Sequence, residues 1–101
     1  MSPELRAFVI EMANSGAVLQ LQLIEENYLA HEAFDPRPSD EPSLEAAWES
    51  FLDQVDEPWW HLLEEVSDEV SEEELPEARE LLIETFSERI LDGIRAHLGL
   101  G

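Results

Sequence analysis

Histidines and carboxylates are the side chains of this sequence best suited to catalysis or metal binding. The chain has three histidines and 25 acidic residues. Di-iron helical bundles use a Glu-x-x-His pair, in which both ligands lie on one face of a helix. No histidine here follows a glutamate at that spacing, because the residues three positions earlier are Tyr28, Pro58 and Ile94. The sequence therefore lacks a di-iron signature.

Other catalytic and metal-binding motifs are also missing from the sequence. It contains no HExxH, no calcium-binding loop, no GxGxxG, no P-loop, no GxSxG and no cysteine. His61 has Glu57 and Glu65 four residues away on either side, which could form a weak divalent site. In so acidic a chain, a solvated histidine near carboxylates is the favoured interpretation. We expect no catalytic residue, no cofactor and no metal site, and hence no enzyme.

The densest group of acids lies in the segment 62–77, LLEEVSDEVSEEELPE. If the helix after Pro58 continues to Ser71, its carboxylates form two rows at intervals of four residues, with neighbours roughly 5–6 Å apart. Val66 and Val70 stay apolar within this run, and the pattern predicts an amphipathic helix with a negatively charged outer face. The two rows are Glu64, Asp68 and Glu72, and Glu65, Glu69 and Glu73.

Two adjacent tryptophans precede this acidic run. Successive residues on a helix point about 100° apart, so Trp59 and Trp60 cannot both lie centrally on one narrow apolar stripe. Trp59 lies at helical spacing from Leu62, three residues later, and is therefore predicted to be in the core. Trp48 is also predicted to be in the core. Trp60 either covers the edge of the bundle or is an exposed anchor of the type enriched in binding hot spots. The predicted partner-binding residues are Trp60, Glu64, Glu65, Asp68, Glu69, Glu72, Glu73, Glu74 and Glu77.

The elements that must position these residues are predicted to be helices. Ser2 and Pro3 form a helix start, with a capping serine before a proline. The following segment 17–34, AVLQLQLIEENYLAHEAF, alternates leucine with glutamine as a strand would, but its length and its helix-forming residues favour a helix. Whether the two helices are continuous across Gly16 is left open by the sequence.

Later start and stop signals divide the rest of the chain. The three prolines of segment 35–42, DPRPSDEP, indicate a candidate linker. Ser43 is predicted to cap the next helix, Asp56 begins another start signal, and Ser71 has the spacing of a capping box. The last helix is predicted from about Pro76 to Leu98. We expect an all-α fold, a small antiparallel bundle of four to five helices, in one helical domain over residues 1–101.

Composition narrows the class of partner. The formal net charge is −20, the five basic residues are all arginines, and the apolar share of 44% supports a folded core. A chain this acidic repels nucleic acid and anionic lipid, so its expected partners are cationic surfaces. No apolar run is long enough for a membrane helix, and the N-terminus lacks secretory features. The sequence predicts a cytoplasmic protein that binds neither membranes nor nucleic acid directly.

Three explanations account for the acidity: a solvated surface, adaptation to high salt, or a basic partner. Adaptation to salt would spread acids evenly, yet residues 1–34 contain five and residues 56–80 contain eleven. Rows of carboxylates resemble the phosphates along a nucleic-acid strand, where the axial rise is about 3.4 Å per nucleotide. A basic groove made for nucleic acid could accept such a surface.

The favoured hypothesis is a protein that binds a basic nucleic-acid-binding protein or nuclease and blocks it. In size and charge the chain resembles small acidic inhibitors encoded by phages, including anti-restriction and anti-CRISPR proteins. The first alternative is an immunity protein or antitoxin against a nuclease toxin. The second belongs to another class: a structural or regulatory bundle that self-associates, as a homodimer for example, through Trp60 and neighbouring apolar residues.

Overall fold

The computed structural model describes residues 1–55 and 59–100, and these residues form helices and turns without any strand. The prediction of a small all-α bundle is confirmed. A π-helical turn at Glu25–Leu29 and a 3-10 turn at Glu32–Phe34 connect the first two helices. The four α-helices are α1 (Pro3–Leu21), α2 (Glu41–Gln54), α3 (Trp60–Glu69) and α4 (Leu75–Leu98).

The N-terminal segment is helical, and the alternating leucines do not form a strand. Helix α1 continues through Gly16, which is buried against α3. A Cβ atom at Gly16 would lie 2.6 Å from a methyl carbon of Leu62, so the glycine allows α3 to approach closely. Ile24 and Tyr28 face the core, whereas Leu19 and Leu23 are exposed. The helical spacing of the buried residues therefore determines the structure, and the alternation of leucines is incidental.

Helices α1 and α4 form the longest pair, and they run in the same direction. The amino group of Met1 lies 3.6 Å from the carboxylate of Glu77, near the start of α4. At the other end, a Cβ atom at Gly93 would overlap the methyl groups of Leu21. The short helix α3, which contacts both, returns the chain to the start of α4 and runs opposite to them. Helix α3 is thus antiparallel to α1 and to α4, as the predicted bundle requires, whereas α1 and α4 are parallel to each other.

The central core lies along α4. Five of its side chains recur at helical spacing and are fully buried, and each large one contributes about 1.5–3 kcal/mol relative to exposure. Gly99, at φ 74°, ends the helix in the left-handed conformation, as its sequence position predicts. The five buried residues are Ala78, Leu82, Phe86, Ile90 and Ile94.

A second, aromatic part of the core joins α2 to the turns that precede it. The rings of Trp48 and Phe51 stack with centroids 5.6 Å apart, and Tyr28 lies 5.4 Å from Phe51. Phe34 packs against the same ring at 5.8 Å. Trp48 is therefore a core residue, as predicted. Burial raises the pKa of the Tyr28 hydroxyl, which donates a hydrogen bond to Gln20.

The proline-rich segment leads directly into α2. The helix begins at Glu41, so Pro42 lies in its first turn and Pro38 is buried. The predicted cap at Ser43 is wrong: Asp40 is the capping residue, and its carboxylate accepts a 2.8 Å hydrogen bond from the backbone N–H of Ser43. Proline is well tolerated in a first turn, where its missing N–H has no helical partner, and this allows the earlier start.

Candidate protein-binding surface

Helix α3 has one buried side and one exposed side. Leu62 and Val66 are buried, and Leu62 contacts the backbone of α1 at Gly16. Trp59, 7% exposed, packs edge-to-face against Phe86 with ring centroids 6.3 Å apart. The predicted amphipathic character of this segment is therefore present in the structure, and Trp59 belongs to the core as predicted.

Trp60 lies on the opposite side of α3 and is 56% exposed. Its ring contacts only the edge of the His61 ring among the aromatic groups of the described chain, at a centroid distance of 6.0 Å. The indole lines an open groove together with Leu63 and the carboxylate of Glu64. More than half of the Trp60 side chain is exposed, which favours an exposed residue over one that covers the edge of the bundle.

The nine predicted binding residues occupy three consecutive elements, and we call them together the acidic surface. Trp60, Glu64, Glu65, Asp68 and Glu69 lie on α3; Glu72, Glu73 and Glu74 lie in the turn before α4; Glu77 lies in the first turn of α4. Eight are exposed, and Glu74 is half-buried. The surface is therefore contiguous in sequence and accessible to a partner along its length.

The predicted carboxylate rows end earlier than expected. Helix α3 stops at Glu69, and Val70 is extended at φ −115° and ψ 147°. Ser71 then closes a turn by accepting a 3.0 Å hydrogen bond from the N–H of Leu75. A helix running from α3 into α4 would place Pro76 in its interior, where proline removes a hydrogen bond and clashes with the preceding turn. Each row therefore keeps two carboxylates on the helix, and the third lies in the turn.

The spacing at Ser71 does not produce a full capping box. Its hydroxyl lies 3.5 Å from the carboxylate of Glu74, the residue just before α4. Glu74 makes no side-chain cap to the helix, and its own N–H donates to the carbonyl of Ser71 at 3.1 Å. These contacts form a tight acidic turn at the start of α4.

Within the described residues, the carboxylates on α3 and in the following turn form no ion pair with neighbouring elements. Glu77 alone pairs with the amino group of Met1. Negative charges in this arrangement repel one another and attract an external cation.

A metal site is not evident on this surface. Within the described parts of the chain, no three histidine or acidic side chains lie close enough together to hold a metal ion. Glu57, one of the two acids that the sequence places near His61, lies outside the described residues, as does the predicted helix start at Asp56. His61 itself is exposed on α3 beside Trp60.

A second group of charged residues was not predicted from the sequence. Glu25 pairs with Arg37, and its other carboxylate oxygen lies 2.6 Å from Nε2 of His97. The contact with His97, and secondarily that with Arg37, lowers the pKa of Glu25. Both contacts are long-range in sequence, with separations of 72 and 12 residues, so local spacing could not show them.

Arg95 forms a second set of ion pairs near the end of α4. Its Nε lies 2.5 Å from the carboxylate of Glu41, and its terminal nitrogen lies 2.6 Å from Asp92. The hydrogen bond to Glu41 is the main cause that raises the pKa of Arg95. We call the whole group the ion-pair cluster; its members are Glu25, Arg37, Glu41, Asp92, Arg95 and His97.

Comparison with known proteins gives no relative from which a function could be transferred. The chain matches no protein-family model, no curated protein and no solved structure. None of the helices in residues 1–55 and 59–100 combines the length and the apolar character needed to cross a membrane. The charge and the geometry of the acidic surface are therefore the features from which a function is inferred.

Proposed function

We propose that this protein binds a basic nucleic-acid-binding protein through the acidic surface and blocks the partner's nucleic-acid site. The observation that carries the proposal is the set of exposed carboxylates on α3 and the following turn, which lack ion pairs with the described residues. Surface charges that are not used to hold the fold together remain available to an external cationic groove. The protein acts by binding rather than by catalysis.

The geometry of α3 supports imitation of a nucleic-acid strand over a short distance. Glu64 and Asp68 are one helical turn apart, as are Glu65 and Glu69, and neighbours at this spacing are roughly 5–6 Å apart. A groove lined by lysine and arginine for a row of phosphates offers matching positive charge. Complementary charge of this kind accelerates association and selects the partner more than it adds affinity.

Trp60 supplies the apolar part of the proposed contact. Tryptophan is enriched among the residues that dominate binding energy, and its indole can also stack against a guanidinium group. In this structure the indole stands beside Glu64 at the exposed groove on α3. An arginine of the partner could contact the ring and the carboxylate together. An anti-restriction or anti-CRISPR protein and a nuclease immunity protein would use this same surface, so the proposal covers both.

The proposal is tested by capture followed by competition. Immobilised protein is exposed to a host lysate at low salt, and retained proteins are eluted with double-stranded DNA. A partner that uses its nucleic-acid site is released by DNA, and the purified partner then loses DNA binding when this protein is added. Retained proteins that DNA does not release, or that still bind DNA when saturated with this protein, would contradict the proposal. Elution must also become easier as salt rises.

A further inference from the structure

The groove on α3 that contains Trp60 combines an aromatic ring with two carboxylates. Its lining residues recur at intervals of three and four positions, so they lie on one side of the helix over about two turns. Within the described residues, no basic side chain lines this groove. We call it the Trp60 groove; its lining residues are Trp60, Leu63, Glu64, Ser67 and Asp68.

The side chains of the Trp60 groove leave two kinds of surface available to a ligand. The indole is 56% exposed, and Leu63 beside it is half-buried. Glu64 and Asp68 are exposed and form no ion pair with the described residues. The Ser67 hydroxyl already donates a 2.7 Å hydrogen bond to the carbonyl of Leu63. The groove therefore offers an aromatic surface next to two anions that can accept hydrogen bonds.

We infer that the Trp60 groove accepts an arginine side chain of the basic partner in preference to lysine. A guanidinium group is flat and weakly hydrated, so it can stack on an indole while its N–H groups donate to a carboxylate. Its fork of donors matches the two oxygens of a carboxylate such as that of Glu64. The aliphatic stem of the arginine can lie along Leu63. One arginine thus uses both kinds of surface at once.

Other ligands satisfy only part of this chemistry. The ammonium group of lysine is a compact, strongly hydrated charge, which gains from the carboxylates but less from stacking on the ring. A purely apolar ligand would desolvate Glu64 and Asp68 without compensating their charge. The acids outside the groove, such as Glu65 and Glu69, should attract arginine and lysine alike, because Trp60 is the only exposed tryptophan, tyrosine or phenylalanine in the described chain.

Because the arginine belongs to the partner of the proposed function, this inference rests on that proposal and adds a requirement to it. Charge complementarity alone needs only a cationic groove, whereas the Trp60 groove selects one type of cation. Tryptophan and arginine are both enriched among the residues that dominate binding energy at interfaces. The arginine should therefore be an anchor of the contact.

The test compares two synthetic peptides of equal length and equal charge, one with arginine and the other with lysine at every basic position. Isothermal titration calorimetry with the full chain at low salt measures both affinities. We expect the arginine peptide to bind roughly two- to fivefold more tightly, as a cation–π contact at an exposed site would produce. It should also shift the NMR signal of the Trp60 indole N–H, which the lysine peptide should leave nearly unchanged.

Substitutions within and beside the groove locate the preference. Trp60→Leu keeps an apolar side chain without a ring face, so the two peptides should bind it equally. Trp60→Phe keeps a ring face and should retain much of the preference, and the loss of its indole signal assigns that signal in the wild-type spectrum. Glu64→Gln should weaken the arginine peptide more than Glu65→Gln does. The latter is the matched control, since it removes the same charge from an exposed site outside the groove.

Equal affinities of the wild-type protein for the two peptides, or a preference that survives in Trp60→Leu, would overturn the inference. Circular dichroism checks that the variants fold, and the wild-type spectrum is a test without them: an indole signal that moves equally with both peptides also overturns the inference. Equal, salt-sensitive binding of the two peptides leaves the proposed function standing, because that proposal requires only a cationic partner. A captured partner that still binds DNA when saturated would overturn the proposed function even if arginine is preferred.

Discussion

The acidic surface and the ion-pair cluster are both rich in exposed carboxylates, but they use them differently. In the ion-pair cluster, Glu25 contacts Arg37 and His97, and Glu41 contacts Arg95. These contacts connect the end of α4 to the turn after α1 and to the first residue of α2. On α3, Glu64 and Glu65 have no such partner among the described residues. Cations are scarce in this chain, and at the cluster they hold elements together. The carboxylates left without them are those we assign to a partner.

If the exposed side of α3 serves a partner, it should be unnecessary for folding. The two adjacent tryptophans test this. Trp59→Ala removes a buried ring that packs on Phe86 and should lower the free energy of unfolding by about 3–5 kcal/mol. Trp60→Ala removes a side chain that is 56% exposed and should change it by no more than about 0.5 kcal/mol. Urea unfolding followed by circular dichroism measures both. Similar losses in the two variants would mean that Trp60 is part of the core.

Salt dependence distinguishes the unpaired acids from the paired ones. Raising monovalent salt from low to moderate concentration should raise Tm by a few degrees, because it screens the repulsion between carboxylates. This shift corresponds to a gain on the order of 1 kcal/mol in the free energy of unfolding. Changing Glu65, Glu69 and Glu73 to lysine should make Tm less dependent on salt, since repulsion on α3 and its turn is relieved. Thermal melts at several salt concentrations measure this. A wild-type Tm that stays flat or falls as salt is raised would show that the carboxylates of the acidic surface do not repel one another appreciably.

Removing the charge of Glu25 tests the ion-pair cluster and should have the smallest effect. Contacts with His97 and Arg37 lower the pKa of Glu25, so its ionised form is favoured by folding. The resulting stabilisation is present above the ordinary value near 4.5 and is lost as pH falls through the lowered pKa of the folded state. Glu25→Gln should therefore lower Tm slightly at neutral pH, and the difference should vanish in acid. A difference that grows in acid would contradict the assignment.

The matched control for this variant is Glu26→Gln. Glu26 is the next residue in the same turn, is exposed, and forms no ion pair with any described residue. Its substitution removes the same charge and should leave Tm unchanged or slightly higher at neutral pH. If both variants lose the same stability, the effect arises from the π-helical turn itself and not from the contacts of Glu25.

The sequence predicted those features that depend on local spacing. The apolar stripe of α4 is buried at Leu82, Phe86 and Ile90, and its end at Gly99 follows from the left-handed conformation that glycine permits. The buried side of α3 and the exposed carboxylates opposite it also follow from helical periodicity. Such features need only neighbours within two turns, and these are visible in a sequence.

Features that depend on distant contacts were missed. The parallel direction of α1 and α4 is set by the path of the intervening helices, and the pairing of Arg95 with Glu41 spans 54 residues. The end of α3 at Glu69 was missed for a different reason. The acidic pattern continues past this residue, and only the incompatibility of Pro76 with a helix interior indicates that the chain must turn first.

The central claim is that the position of the carboxylates, and not total charge, determines binding. The most direct test measures how well the protein displaces fluorescently labelled DNA from its captured basic partner. The variant with lysine at positions 65, 69 and 73 loses three carboxylates of the acidic surface and keeps Val66 on the buried side. At about 1 kcal/mol for each reversed site, its affinity should fall on the order of a hundredfold.

The control for this measurement carries lysine in place of Glu4, Glu11 and Glu49, which are exposed outside the acidic surface. Both triple variants have the same net charge, so they differ only in where the charge is changed. We predict that the control displaces DNA almost as well as the wild-type protein, while the variant of the acidic surface does not. Equal weakening of the two would show that bulk charge is responsible, and full activity in both would place the contact elsewhere; either result contradicts the account.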